Sequence, residues 1–185
     1  MSVVTDTKHA TAPVTLNKTL FRMIRTSNVR DGHLLISGMD TVEESTYEKW
    51  SERIHLRAGD IVFSREAPIG EVAIIPDDIN KYFLGQRMVA IRLNTQNDSR
   101  FILNTFLTST FKKEVYIRNT EATTVANFGI PILKKHEIEV PVLHEQVKIG
   151  QLFGAIDSLI AANEQVLKLV IKIVKNSLTN SLLFN

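Results

Sequence analysis

The 185-residue chain is 44% hydrophobic and 23% charged, enough apolar content for one medium domain with a buried core, and its lack of cysteine excludes disulfides and thiolate metal sites. It has no run of eighteen apolar residues and no signal-type N-terminus, so a soluble cytoplasmic protein without a membrane partner is expected. The formal net charge of +2 hides a basic middle, residues 81–135, with nine basic against three acidic side chains, an excess that suits nucleic acid or a solvated basic face.

In chain order, residues 1–18 are rich in Thr, Ala and Val without a clear period and read as a flexible tail or a partial edge strand. Phe21 to Arg25 and Leu34 to Ile36 flank Val29-Arg30-Asp31-Gly32, where Asp-Gly marks a turn between two short strands. Tyr47-Glu48-Lys49-Trp50 suggests a short helix that docks two aromatics. Gly59-Asp60 is a tight turn feeding a strand at Ile61-Val62-Phe63, which Ala67-Pro68-Ile69-Gly70 breaks and Glu71 to Ile75 resumes. Leu84-Gly85-Gln86-Arg87 then leads into a strand at Met88 to Leu93. From Ser99 to Tyr116 the period becomes helical, with Phe101, Ile102, Phe106, Leu107 and Phe111 on one face and Lys112-Lys113 near the end. Ile130 to Leu133 and Ile138 to Pro141 look extended, and Pro141 stops the chain before a last helix.

That last helix carries the strongest pattern. Ile149, Leu152, Ile156, Leu159, Val166, Val170 and Ile173 recur at steps of three and four, a heptad seam with Asn163 at one of its positions. A single buried amide in such a seam fixes register or partner at some cost in stability. Phe153, Ile160, Leu167, Leu169 and Val174 widen the apolar stripe beyond a two-stranded coil, so more than one partner surface is expected. Helical from 145 to 176, the rod would be roughly 48 Å long. The fold class is therefore α+β: a compact β-rich domain over residues 19–143, followed by a long coiled-coil-type helix over 144–185.

Three segments in this order, Gly59 to Gly70, Gly85-Gln86-Arg87, and Val140-Pro141-Val142-Leu143-His144-Glu145-Gln146, resemble the DNA-specificity subunits of type I restriction-modification systems over about residues 30 to 180. The resemblance covers one target-recognition domain and one conserved helix, where a full subunit carries two such units. It implies a non-catalytic, half-length subunit that reads double-stranded DNA. It further implies methyltransferase subunits that bind S-adenosylmethionine, an ATP-driven restriction subunit, and no cofactor on this chain. A homodimer through the last helix would supply the second unit.

Candidate DNA contacts follow from residue chemistry. Arg30, Arg65 and Arg87 can meet phosphate or the O6 and N7 acceptors of guanine, and Gln86 can pair with adenine. Lys112 and Lys113 suit phosphate, and Thr123, Thr124 and Asn127 sit in a polar loop able to bond phosphate or base edges. Each has a plainer role open to it: an ion pair of Arg65 with Glu66, turn chemistry, or solvation. The five histidines lack metal-ligand spacing, and no nucleophile elbow or glycine-rich phosphate loop occurs. Two other readings remain at this stage, a coiled-coil adaptor with a β-rich protein- or peptide-binding head and a small nuclease built on scattered carboxylates.

Overall fold

The computed structural model describes residues 3–121 and 128–183. In chain order its elements are β1 (Val3–Asp6), β2 (Phe21–Ile24), β3 (Val29–Arg30), β4 (His33–Leu34), α1 (Glu44–Ser51), β5 (Ile61–Ser64), β6 (Val72–Ile74), β7 (Lys81–Leu84), β8 (Met88–Arg92), α2 (Ser99–Phe106), α3 (Ser109–Glu121), α4 (Ile130–Lys135) and α5 (Leu143–Leu183). A four-stranded antiparallel sheet in the order β1-β8-β5-β6 forms the centre, with Ile61 opposite Ile91 and Val4 likewise opposite Ile91 from the other side. β2 pairs in parallel with β7, and β3 with β4 makes a small hairpin.

Successive strand residues point to opposite faces. Ile61, Phe63, Val89 and Ile91 therefore meet Ile102, Phe106, Phe111, Phe128 and Leu133 on the helical side. Val62, Met88 and Ala90 meet Ile24, Val29, Tyr82 and Leu84 on the other. With both faces covered, β5 is buried at every residue, which is why its sequence reads as a continuous apolar run.

Several expectations are met locally. Asp31 and Gly32, at φ of 44° and 86°, make the expected turn, though its arms are β3 and β4 rather than Phe21 to Arg25 and Leu34 to Ile36, and Gly59 at 86° leads into β5. Of the two readings of the opening stretch, the partial edge strand holds: Val3-Val4-Thr5 are good strand formers and lie at the sheet edge beside β8. Three others are corrected. The helix expected over Ser99 to Tyr116 is two helices broken at Leu107-Thr108. In one helix, positions five apart diverge by about 140°, yet Phe106 and Phe111 lie 4.9 Å apart and both face Phe63. The break lets both rings join one cluster.

Residues Ile130 to Leu133 are helical rather than extended. Gly129 caps α4, and Pro131 sits in the first turn, where a missing N–H costs nothing. Ile138 to Pro141 forms no strand, and Ile138 instead packs against the helix-side core. The final helix is longer than the seam required, 41 residues or about 61 Å.

Candidate nucleic-acid interface

The junction of β2, β7 and β8 builds the site. A Cβ on Gly85 would stand 2.8 Å from the carbonyl oxygen of Ile24, so only glycine lets the chain press against the end of β2, where its N–H donates to that same oxygen at 2.8 Å. The Gln86-Arg87 turn follows at once and is brought beside Arg25. A cleft of about 350 Å³ opens there, with Gln86 and Arg87 on one wall, Arg25, Thr26 and Ser27 on another, and Ala10, Thr11 and Ala12 on a third.

The cleft's charges are partly committed and partly available. Arg25 pairs with Asp40 at 2.8 Å and Arg87 with Glu66 at 3.2 Å, while both side chains remain about half exposed. Among the described residues, the side-chain amide of Gln86 has no hydrogen-bond partner. Two tethered guanidiniums and an open amide can receive a phosphodiester or a base edge.

From this cleft a series of contacts leads outward to further basic residues, with Asp31 between them. Arg30 donates from Nη1 to the carbonyl oxygens of Thr26 (3.3 Å) and Val29 (3.0 Å). The next residue, Asp31, lies 3.4 Å from Lys112 Nζ on α3. Lys112 and Lys113 are both exposed, midway along the α-helical stretch rather than at its end. Thr123, Thr124 and Asn127 lie outside the described residues.

Arg65 corrects the sequence reading. Its side chain is 10% exposed and turned inward, 3.4 Å from Asp6 and 3.0 Å from the His9 ring, and it donates to the Gln86 carbonyl oxygen at 3.3 Å. Its Nε is buried without a hydrogen bond, 3.8 Å from the Glu66 carboxylate. A surface contact to DNA is not available from this pose. The reason is electrostatic: a buried guanidinium needs an anion, and Asp6 on β1 provides it.

Part of the basic excess in the middle of the chain is internal too. Arg92 makes a two-pronged pair with the buried Asp60 at 2.8 and 2.6 Å, and the Asp60 carboxylate raises its pKa above the usual arginine value. Among the described residues no group of three His, Asp or Glu side chains is placed to hold a metal ion, and no helix is long and apolar enough to cross a membrane.

Among the described residues, the last helix is anchored only at its start. Gln146 is 1% exposed; its oxygen accepts from the Asp98 N–H at 3.0 Å, and its amide nitrogen donates to the carbonyls of Pro141 (2.8 Å) and Gln96 (3.2 Å). One turn on, Gly150 packs against the N-terminus of α2. Sequence reasoning placed Gln146 only near the helix start and missed this role, which a buried amide beside a proline does not advertise. Beyond Gly154 every described side chain is exposed. Ile149 is half-buried, and Leu152, Ile156, Leu159, Val166, Val170 and Ile173 are 41% to 64% exposed, with Asn163 open among them.

Residues 13–172 match the family model of the type I restriction modification DNA specificity domain. Among solved structures, the chain is similar to one described under the structural basis of complex assembly and conformational transition of the type I R-M system. That likeness has 14% identity and a TM-score of 0.60, over 89% of this chain and 40% of that one. It is also similar to the HsdS subunit from Thermoanaerobacter tengcongensis, with 15% identity and a TM-score of 0.55, over 87% of this chain and 36% of that one. At these identities the likeness shows the fold, a β-rich body with a long helix. No curated protein matches the chain.

Proposed function

The chain belongs to the type I restriction-modification DNA specificity family, and from that membership we propose that it is a non-catalytic reader of one half of a bipartite DNA target. The observation that carries the reading is the cleft at Gln86 and Arg87, where Arg25 converges and beside which Arg30 bonds Thr26 and Asp31 leads on to Lys112. Phosphates would be met by Arg25, Arg30, Arg87, Lys112 and Lys113, and the open Gln86 amide is the group here best suited to a base edge.

The exposed seam of α5 supplies the second half. Two copies packed antiparallel through Leu152 to Ile173 would set two heads at opposite ends of a rod of about 61 Å, longer than one DNA turn of about 34 Å, so both could reach half-sites on one duplex. The wide apolar flanks at Phe153, Ile160, Leu167, Leu169 and Val174, each at least 40% exposed, would receive methyltransferase subunits. Those subunits would bring S-adenosylmethionine, and a restriction subunit would bring ATP.

Two measurements test this. Duplex binding across salt should weaken steeply, and Lys112→Glu with Lys113→Glu should lower affinity and reduce the log-log slope by about two. A flat salt response removes the DNA-reading role and leaves an adaptor. Co-expression with methyltransferase subunits of a type I system followed by methylome sequencing should reveal a bipartite, near-palindromic methylated site.

A further inference from the structure

Arg65 lies at the meeting of three segments distant in sequence. Its guanidinium is held by Asp6 and His9 from the N-terminal segment, and His9 in turn contacts Asp6 at 2.9 Å. Its Nη2 donates to the Gln86 carbonyl oxygen, and its backbone N–H donates to that of Arg87 at 3.1 Å. Its own carbonyl oxygen accepts from the Phe128 N–H at 2.8 Å. Both carbonyls of the cleft's central turn are thus tied to one buried residue.

We infer that Arg65 is a positioning residue for the DNA site: gripped by Asp6 and His9, it fixes the Gln86-Arg87 turn, which makes the N-terminal strand a working part of the reading head. The inference rests on the cleft being the DNA site. Ala10, Thr11 and Ala12, a few residues after β1, form a wall of the same cleft, so the N-terminal segment that holds Arg65 also shapes the opening. Fork geometry matters here, because one planar guanidinium spans Asp6, His9 and the Gln86 carbonyl oxygen together. A lysine keeps the charge but, with a single ammonium, cannot bridge all three. Asp6 also pairs with Arg53, so loss of the Arg65 guanidinium does not strand its carboxylate.

The test uses the full chain and a 30-base-pair duplex of mixed sequence. Arg65→Met and Arg65→Lys should each lower affinity about as much as Arg87→Ala, on the order of eightfold at 0.1 M salt for one lost phosphate contact. Adding Arg87→Ala to either should produce little further loss. Near-normal binding by Arg65→Lys, or losses that multiply with Arg87→Ala, would mean an independent contact and overturn the inference. Unchanged affinity with only a lower melting temperature would overturn it as well.

A readout without DNA separates this inference from the function it rests on. The Met88 amide closes the turn onto the Gly85 carbonyl oxygen at 3.0 Å, and its hydrogen exchange should quicken at least about tenfold in Arg65→Met but not in Arg30→Ala. Unquickened exchange overturns the positioning role even where DNA binds. If the unaltered chain fails to bind duplex, the DNA-reading proposal falls by itself. His9→Ala, at a half-exposed site the fold tolerates, should move both readouts in the same direction by less.

Discussion

Two glycines one turn apart in α5 give opposite expectations. Replacing a mid-helix glycine by alanine gains about 1 kcal/mol, chiefly because the unfolded chain loses freedom. At Gly154 the added methyl would meet only Arg100 Nη1, at 3.6 Å, an ordinary contact, so Gly154→Ala should stabilise by about 0.5–1 kcal/mol. At Gly150 it would stand 2.7 Å from Asp98 Oδ1, 3.0 Å from Arg100 Cβ and 3.2 Å from the Phe101 nitrogen. Asp98 cannot simply swing away, because that oxygen caps α2 by accepting from the Phe101 N–H at 2.9 Å.

Losing that cap costs about 1 kcal/mol, and forcing the two helices apart costs about 1–3 kcal/mol more. Against a gain of about 1 kcal/mol, Gly150→Ala should be destabilising by about 1–3 kcal/mol. Urea unfolding followed by circular dichroism, at one protomer concentration so that any association is held constant, reads both midpoints. A raised midpoint for Gly150→Ala, or shifts of the same sign in both variants, would refute the close approach of α2 and α5.

Gln146→Leu should cost about 2–4 kcal/mol in the same assay, because it orphans the Asp98 N–H and two carbonyl oxygens around the helix start, part of which water recovers. Burial, and then the hydrogen bond to Asp78 at 2.7 Å, push the Tyr82 hydroxyl up to about 12, so one of the three tyrosines should resist ionisation to that pH in an absorbance titration. The sign follows from a raised folded value: this contribution is complete below about pH 10, is lost as pH rises toward 12, and is absent in Tyr82→Phe. Sedimentation should show a homodimer, tightened by Asn163→Leu, since the amide in an apolar seam trades stability for register; a monomer at micromolar concentration, unchanged by the substitution, would argue against the rod.

How much of this was legible depends on the range of the forces involved. Turns and strands set by local chemistry, such as Asp31-Gly32, Gly59-Asp60 and Ile61 to Ser64, can be read from the residues themselves. β7 was not legible: Lys81 to Leu84 pairs in parallel with β2, some sixty residues earlier, and nothing nearby in sequence marks that partner. The break between α2 and α3 answers to rings of Phe63 and Phe111 brought together only by the fold. In the site, Gln86 and Arg87 announce themselves as polar residues in a turn after glycine. Arg65 misleads for the opposite reason, since an arginine before a proline-glycine turn looks exposed until Asp6 and His9, more than fifty residues away, are seen to hold it.

The anchorage of α5 has a consequence larger than its energy. Among the described residues, only Gln146, Gly150 and their neighbours tie the helix to the head, while the chain from Gly150 to Leu183 extends roughly 50 Å further. A rotation of about 10° at Gly150 would carry the far end about 9 Å sideways, between two and three base pairs at about 3.4 Å each. If two heads are spaced by such rods, the half-site separation tolerates far less error than the stability of the head does. A glycine where an alanine would favour the helix, and a buried amide with all its groups bonded, are what a joint set for angle rather than for strength requires. Gly150→Ala should therefore disturb the spacing of a bipartite site at a stability loss the fold survives, and a methylome unchanged by that substitution would show that the joint does not set the spacing.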